Sequence, residues 1–123
     1  IIITNSDLIS DIDYNNLINY HILKTADLTI CAKNKIFQMP YGSILQKREK
    51  VKKIIEKPII NHLVNAGVYV ASKKILKNLA KNEPLMMNEF ITKKIKNNKK
   101  VLCYPIYENW IDIGNKIDFY NNR

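Results

Sequence analysis

The chain has 123 residues, 46% of them hydrophobic and 25% charged, a balance that suits one modest folded core and excludes a disordered or low-complexity chain. Lys and Arg outnumber Asp and Glu by 20 to 11, a net charge of +9 that favours phosphorylated ligands, yet the lysines alternate with Asn and Ile rather than with the aromatic side chains of a base-stacking surface. No apolar run reaches the ~20 residues of a membrane span and no signal peptide is visible, so neither nucleic acid nor a membrane is an expected partner.

The chain begins with Ile rather than Met, and Ile1-Ile2-Ile3-Thr4 opens directly as a strand, so it reads as the later part of a longer protein. A β-branched run without polar alternation suits a strand covered on both faces. Ligands of such sheets bind beyond the carboxyl ends of the strands. Asn5-Ser6 turns the backbone there and presents Asp7, either as a hard oxygen ligand for Mg²⁺ or as a simple cap of the turn. Asp13 stands as the N-cap of a helix whose inner face is Tyr14, Leu17, Ile18, His21 and Ile22. His21 is expected to pack there rather than to ligate. Leu28 to Ala32 returns as a second buried strand, which predicts a right-handed βαβ unit and a parallel sheet.

From Lys33 to Gly42 the pattern breaks, and Pro40-Tyr41-Gly42 predicts a loop in which Gly42 permits close approach. Ser43 to Leu45 and Val51 to Ile55 flank a polar turn and predict an antiparallel hairpin. Glu56-Lys57-Pro58 follows; read as a strand end, it sends Glu56 and Lys57 into different surroundings. Ile59 to Leu63, including His62, is expected to be a connection. The strand Val64 to Val70 has small residues at its centre, so Asn65, Ala66 and Gly67 either make room for a ligand against the backbone or allow close packing. Ser72 is placed as the N-cap of a short helix carrying Ile75, Leu76 and Leu79. Met87, Phe90, Ile91 and Ile95 mark another amphipathic helix, and Val101 to Tyr104 a further strand. Cys31 and Cys103 both lie in apolar segments and read as reduced core residues of a cytoplasmic protein. Trp110-Ile111-Asp112-Ile113-Gly114 then offers a second isolated carboxylate, either a partner for Asp7 or the cap of a last helix from Lys116.

The succession Asn5-Ser6-Asp7, Pro40-Tyr41-Gly42, Glu56-Lys57-Pro58, Asn65-Ala66-Gly67-Val68-Tyr69 and Trp110-Ile111-Asp112-Ile113-Gly114 resembles the later half of the sugar-1-phosphate nucleotidylyltransferases. It is nearest to their mannose-1-phosphate guanylyltransferase-like and glucose-1-phosphate thymidylyltransferase-like members. The resemblance implies an α/β fold: a Rossmann-like, mainly parallel mixed sheet with helices on both faces, an antiparallel hairpin insertion, and the amino-terminal strands missing. It implies transfer of a nucleotidyl group from a nucleoside triphosphate to a sugar 1-phosphate with Mg²⁺. Asp7 and Asp112 would be the metal ligands and Lys57 the group holding the sugar phosphate. Glu56 would accept from sugar hydroxyls, and Gly42 with the Asn65, Ala66 and Gly67 backbone would complete the sugar site. Ser6 stands where the family usually has Gly, and the family's Gly-rich triphosphate loop is not among these residues. Residues 1 to 123 alone are therefore expected to be inactive, and to associate into homo-oligomers through an open apolar strand edge. The competing class is a non-catalytic relative that senses sugar nucleotides or holds a partner subunit.

Overall fold

The computed structural model describes residues 1–77, 79 and 84–114; the expected helix from Lys116 lies outside them. In chain order the elements are β1 (Ile2–Thr4), β2 (Leu8–Ser10), α1 (Tyr14–Leu23), β3 (Leu28–Gln38), β4 (Ser43–Lys47), β5 (Lys50–Ile55), β6 (Ile59–Ala71), α2 (Lys73–Leu76), α3 (Met87–Lys96), β7 (Val101–Ile106) and β8 (Trp110–Asp112). They build two compact units, one of Asn34–Val64 and one of Ile1–Lys33 with the described residues from Asn65 onward. Among the described residues no helix is long and apolar enough to cross a membrane.

The larger unit is organised by β6, whose residues from Ala66 to Ala71 are all buried. A strand with no polar face has to lie inside a sheet that is covered on both sides. The four-stranded sheet accordingly runs in the order β1-β6-β3-β7. β6 is antiparallel to β1, with Ile3 opposite Tyr69, and β7 is parallel to β3, with Leu28 opposite Val101. The sheet is mixed, as expected. β1 and β3, the strands of the expected βαβ unit, are not neighbours, however: β6 is inserted between them, and β2 intervenes in the chain before α1.

Alternation along β6 separates two cores. Val68 and Val70 pack with Ile12, Leu17, Cys31 and Ile106, whereas Tyr69 and Ala71 pack with Leu28, Ile75 and Phe90. Thus α1 covers one face through Leu17, and α2 and α3 cover the other through Ile75 and Phe90. Each such side chain removed from water is worth about 1.5–3 kcal/mol. Asp13 caps α1 as expected, its Oδ1 accepting from the N–H groups of Asn15 at 2.9 Å and Asn16 at 3.1 Å, a contribution of about 0.5–2 kcal/mol. Leu17 and His21 are the buried residues of that helix, while Ile22 remains exposed.

Several expectations change. Ser72 has the extended backbone of an N-cap but makes no capping bond with its side chain, and α2 ends at Leu76, before Leu79. β3 continues through Lys33 to Gln38, and β6 begins at Ile59, so His62 lies in a strand rather than a connection. Polar side chains on these extensions hid the strands, since backbone pairing does not require apolar alternation where a strand faces water. Cys31 is buried, and that burial pushes its thiol up to about 12. Cys103, expected in the core, is exposed; β7 is the last strand of the sheet, and its start, Val101, is the part packed against the α2–α3 core.

The smaller unit contains the expected hairpin. β4 and β5 pair antiparallel, with Ile44 opposite Ile54, and a bulge interrupts the ladder between Leu45 and Gln46. Arg48 in the turn has φ 55°, the left-handed conformation that two-residue hairpin turns require. Nearly every residue of both strands is exposed.

At the far end of the larger unit from Asp7, a buried polar group ties β3 to α2. Asp27 pairs with the Lys74 ammonium at 2.6 Å and accepts from the Lys100 N–H at 2.9 Å; the Lys74 contact first, then the Lys100 N–H, hold its carboxyl below the usual carboxylate range. Nearby His21 faces Thr29 Oγ1 at 2.8 Å, and burial lowers its pKa from the ordinary value. Both groups bind protons less tightly in the folded chain than in the unfolded one, so both contribute stability that is lost on acidification. For His21 the loss begins as pH falls through about 6.5, and for Asp27 it follows below about 3.9. Urea melts of wild type and Lys74→Met from pH 8 to 3 should show falling stability in the wild type and a shallower lower branch in the variant; a flat wild-type profile would refute this account.

Candidate active site

Asp7 lies just beyond the carboxyl end of β1, and Asp112 ends β8. They are 105 positions apart in the chain, yet a short antiparallel ribbon joins them: β2 pairs with β8 so that Leu8 stands opposite Asp112 and Ser10 opposite Trp110. The Ile113 N–H closes the ribbon on the Asp7 carbonyl at 2.9 Å. Both carboxylates then converge on Gly114. The position a Cβ would take at Gly114 is 2.7 Å from Asp7 Oδ2 and 3.2 Å from Asp112 Oδ1. Asp112 Oδ1 also accepts from the Gly114 N–H at 3.0 Å. Asp7 is exposed and Asp112 half-buried.

This donor set fits a hard cation. Among the described residues no group of three or more His, Cys, Asp or Glu side chains is gathered, so two carboxylates would leave most of the coordination sphere to water and phosphate oxygens, the usual arrangement for Mg²⁺. Gly114 was legible only as part of a motif. Its lack of a side chain leaves the space between the carboxylates open.

In the smaller unit the structure brings Gly42 and Glu56 together, a Cβ at Gly42 falling 3.1 Å from Glu56 Oε2. β5 ends at Ile55, so Glu56 and Lys57 are not on a strand and the expected alternation of their side chains does not apply. Lys57 has φ 43°. A left-handed non-glycine residue costs about 1–3 kcal/mol, and the residue before a proline is ordinarily extended. Strain of this kind is kept where the surroundings fix it. The Pro58 carbonyl accepts from the Met39 N–H at 3.0 Å, tying the segment to the chain that precedes Gly42.

Asn65, Ala66 and Gly67 are placed in the larger unit, and the structure gives their groups partners within the chain. Asn65 Oδ1 accepts from the Gly67 N–H at 3.0 Å, and its Nδ2 donates to Tyr69 Oη at 2.8 Å. Ala66 is fully buried, and its carbonyl accepts from Trp110 Nε1 at 2.9 Å. Gly67 has φ +70°, and a Cβ there would meet Asn5 Nδ2 at 2.7 Å and Leu8 Cδ1 at 3.1 Å. At Gly67 the room left by the missing side chain is filled by Asn5 and Leu8. Sequence reasoning gave Asn5 only the turn before Asp7.

A family model described as nucleotidyl transferase matches residues 1–123. The chain belongs to that family. A Sulfolobus acidocaldarius protein provisionally assigned as a mannose-1-phosphate guanyltransferase is 31% identical over 121 residues, which cover 97% of this chain and 33% of that protein. The mannose-1-phosphate guanyltransferase of Debaryomyces hansenii is 25% identical over 97% of this chain. Among solved structures, HddC from Yersinia pseudotuberculosis superposes with a TM-score of 0.68 at 25% identity, covering 98% of this chain and 52% of that one, and has also been solved with GMP-PN. The chain thus spans about a third of the curated relatives it matches and about half of the solved one. The resemblance to sugar-1-phosphate nucleotidylyltransferases is borne out, and so is the mixed α/β fold.

Gly114→Ala isolates the carboxylate geometry from the rest of the nucleotidyl transferase fold. The new Cβ has to displace only the tip of Asp7, so stability should change by about 0.5 kcal/mol or less, as at other surface positions. Mn²⁺ affinity, followed by electron paramagnetic resonance of the free ion, should fall. Unchanged affinity would show that the space between Asp7 and Asp112 is not a cation site.

Proposed function

We propose that this protein, in its full length, transfers a nucleotidyl group from a nucleoside triphosphate to a sugar 1-phosphate. The observation that carries the reading is the convergence of Asp7 and Asp112 on Gly114, in a chain whose family transfers nucleotidyl groups. In the reaction a phosphate oxygen of the sugar 1-phosphate bonds to the α-phosphorus, the bond from that phosphorus to the bridging oxygen breaks, and pyrophosphate leaves with the electron pair. Asp7 and Asp112 would hold Mg²⁺, which when bound offsets negative charge on the phosphate oxygens. Lys57 holds the sugar phosphate as a compact, hydrated cation. Glu56 accepts from sugar hydroxyls, and Gly42 leaves space beside that carboxylate. The names of the relatives make mannose 1-phosphate and a guanosine triphosphate the first pair to test.

Two variants of the full-length protein test the two halves of this assignment. Asp112→Asn should lower turnover far more than it weakens sugar 1-phosphate binding, because charge on the phosphates is offset mainly in the transition state; an unchanged turnover number would refute the metal role. Lys57→Ala should weaken sugar 1-phosphate binding by roughly 1.5–3 kcal/mol, the range for a hydrogen bond to a charged group. Calorimetry with the sugar phosphate and the triphosphate separately checks that the loss is confined to the first; equal losses would remove Lys57 from this role.

A further inference from the structure

Asp112 is reached through a turn that the rest of the larger unit holds from two sides. The β2–β8 ribbon is a sheet of its own, separate from the four-stranded one, and a two-stranded ribbon is marginal in water unless something fastens it. One fastening comes from β3. Lys33 stands opposite Ile106, the last residue of β7, and its side chain reaches the turn that follows. There half-buried Lys33 donates from its ammonium to the Glu108 carbonyl at 2.7 Å and to the Tyr107 carbonyl at 3.1 Å. The other fastening comes from the end of β2. The Asp11 N–H donates to the Asn109 carbonyl at 3.1 Å, and Asn109 Nδ2 donates to Asp11 Oδ2 at 2.8 Å. β8 begins at the next residue, Trp110, and ends on Asp112.

We propose that Lys33 is a positioning residue for Asp112, fixing the turn from which the second carboxylate strand starts. The inference rests on the two-carboxylate reading of the site. Hydrogen bonds from a charged donor are roughly twice as strong as neutral ones, and two of them on successive carbonyls fix the direction of the turn as well as its place. Movement at the turn passes along the extended backbone of β8 to Asp112. Asp11 holds the same turn from the β2 side, so a slip of β8 against β2 would have to break both fastenings. Charge gives the inference a sign of its own. An ammonium repels a divalent cation. If Lys33 acted on the site through its charge alone, removing it would tighten cation binding; acting through the turn, its removal weakens cation binding.

The test uses the full-length protein with Mn²⁺ alone as the probe, followed by electron paramagnetic resonance, and urea melts to separate stability from affinity. Lys33→Met keeps the stem of the side chain and removes its donors, whereas Lys33→Arg keeps a charged donor for the two carbonyls. Lys33→Met should weaken Mn²⁺ by about fivefold, less than the ~10–100-fold lost with a direct partner of a metal ligand, and Lys33→Arg should recover most of that loss. Because the effect runs through Asp112, it should persist in an Asp7→Asn background and vanish in an Asp112→Asn background. Unchanged or tighter Mn²⁺ binding in Lys33→Met, whatever its stability, would overturn the inference, as would an equal loss in both backgrounds. If Lys33→Met fails to fold, Lys33→Gln decides by the same readouts. Asp7→Asn and Asp112→Asn alone test the reading beneath. Should they leave Mn²⁺ affinity unchanged, the two-carboxylate reading itself fails; should they weaken it while Lys33→Met does not, only the positioning role fails.

Discussion

Two carboxylates held around one glycine repel each other, and among the described residues backbone hydrogen bonds hold them there. The Ile113 N–H on the Asp7 carbonyl, the Gly114 N–H on Asp112 Oδ1 and the β2–β8 ladder are all short-range and directional. Salt screens charge but leaves such bonds in place. The arrangement therefore does not depend on a bound cation, and under the proposed metal role repulsion between the carboxylates would be a source of affinity for one. A glycine between them is the simplest way to keep that space open.

β6 is the strand on which this depends. Its buried segment separates the two cores, receives β1 along one edge, and carries the stretch that both carboxylate strands touch. Helices on both faces bury its side chains in alternation, so its register is fixed by packing on two sides at once. A site built on such a strand is held more firmly than one carried by loops, whose backbone has fewer partners.

Much of this was legible in the sequence. Asp13 as a cap, the Leu17 face of α1, the hairpin, and the helix from Met87 follow from local pattern, and each depends on residues close in the chain. The pairing of Asp7 with Asp112 was legible only through the resemblance, because nothing local connects positions so far apart. The strand order was not legible: a βαβ pattern constrains handedness, but whether a later strand enters between its two strands depends on contacts across the whole chain. The extensions of β3 and β6 were missed because Lys33 to Gln38 and Asn61-His62 look polar, and polar strands read as loops. Asn65 and Gly67 were singled out for the sugar site, but the sequence could not show that Asn5 fills the space beside Gly67.

The two cysteines illustrate how differently one sheet treats the same side chain. Cys31 is sealed in the core with its thiol pushed up to about 12, whereas Cys103 is exposed on the outermost strand. Thiolates, not thiols, react with electrophiles. A maleimide dye added to the folded protein at neutral pH would therefore mark β7 and leave β3 untouched, which gives a spectroscopic reporter at one known place on the sheet without engineering a new residue into it.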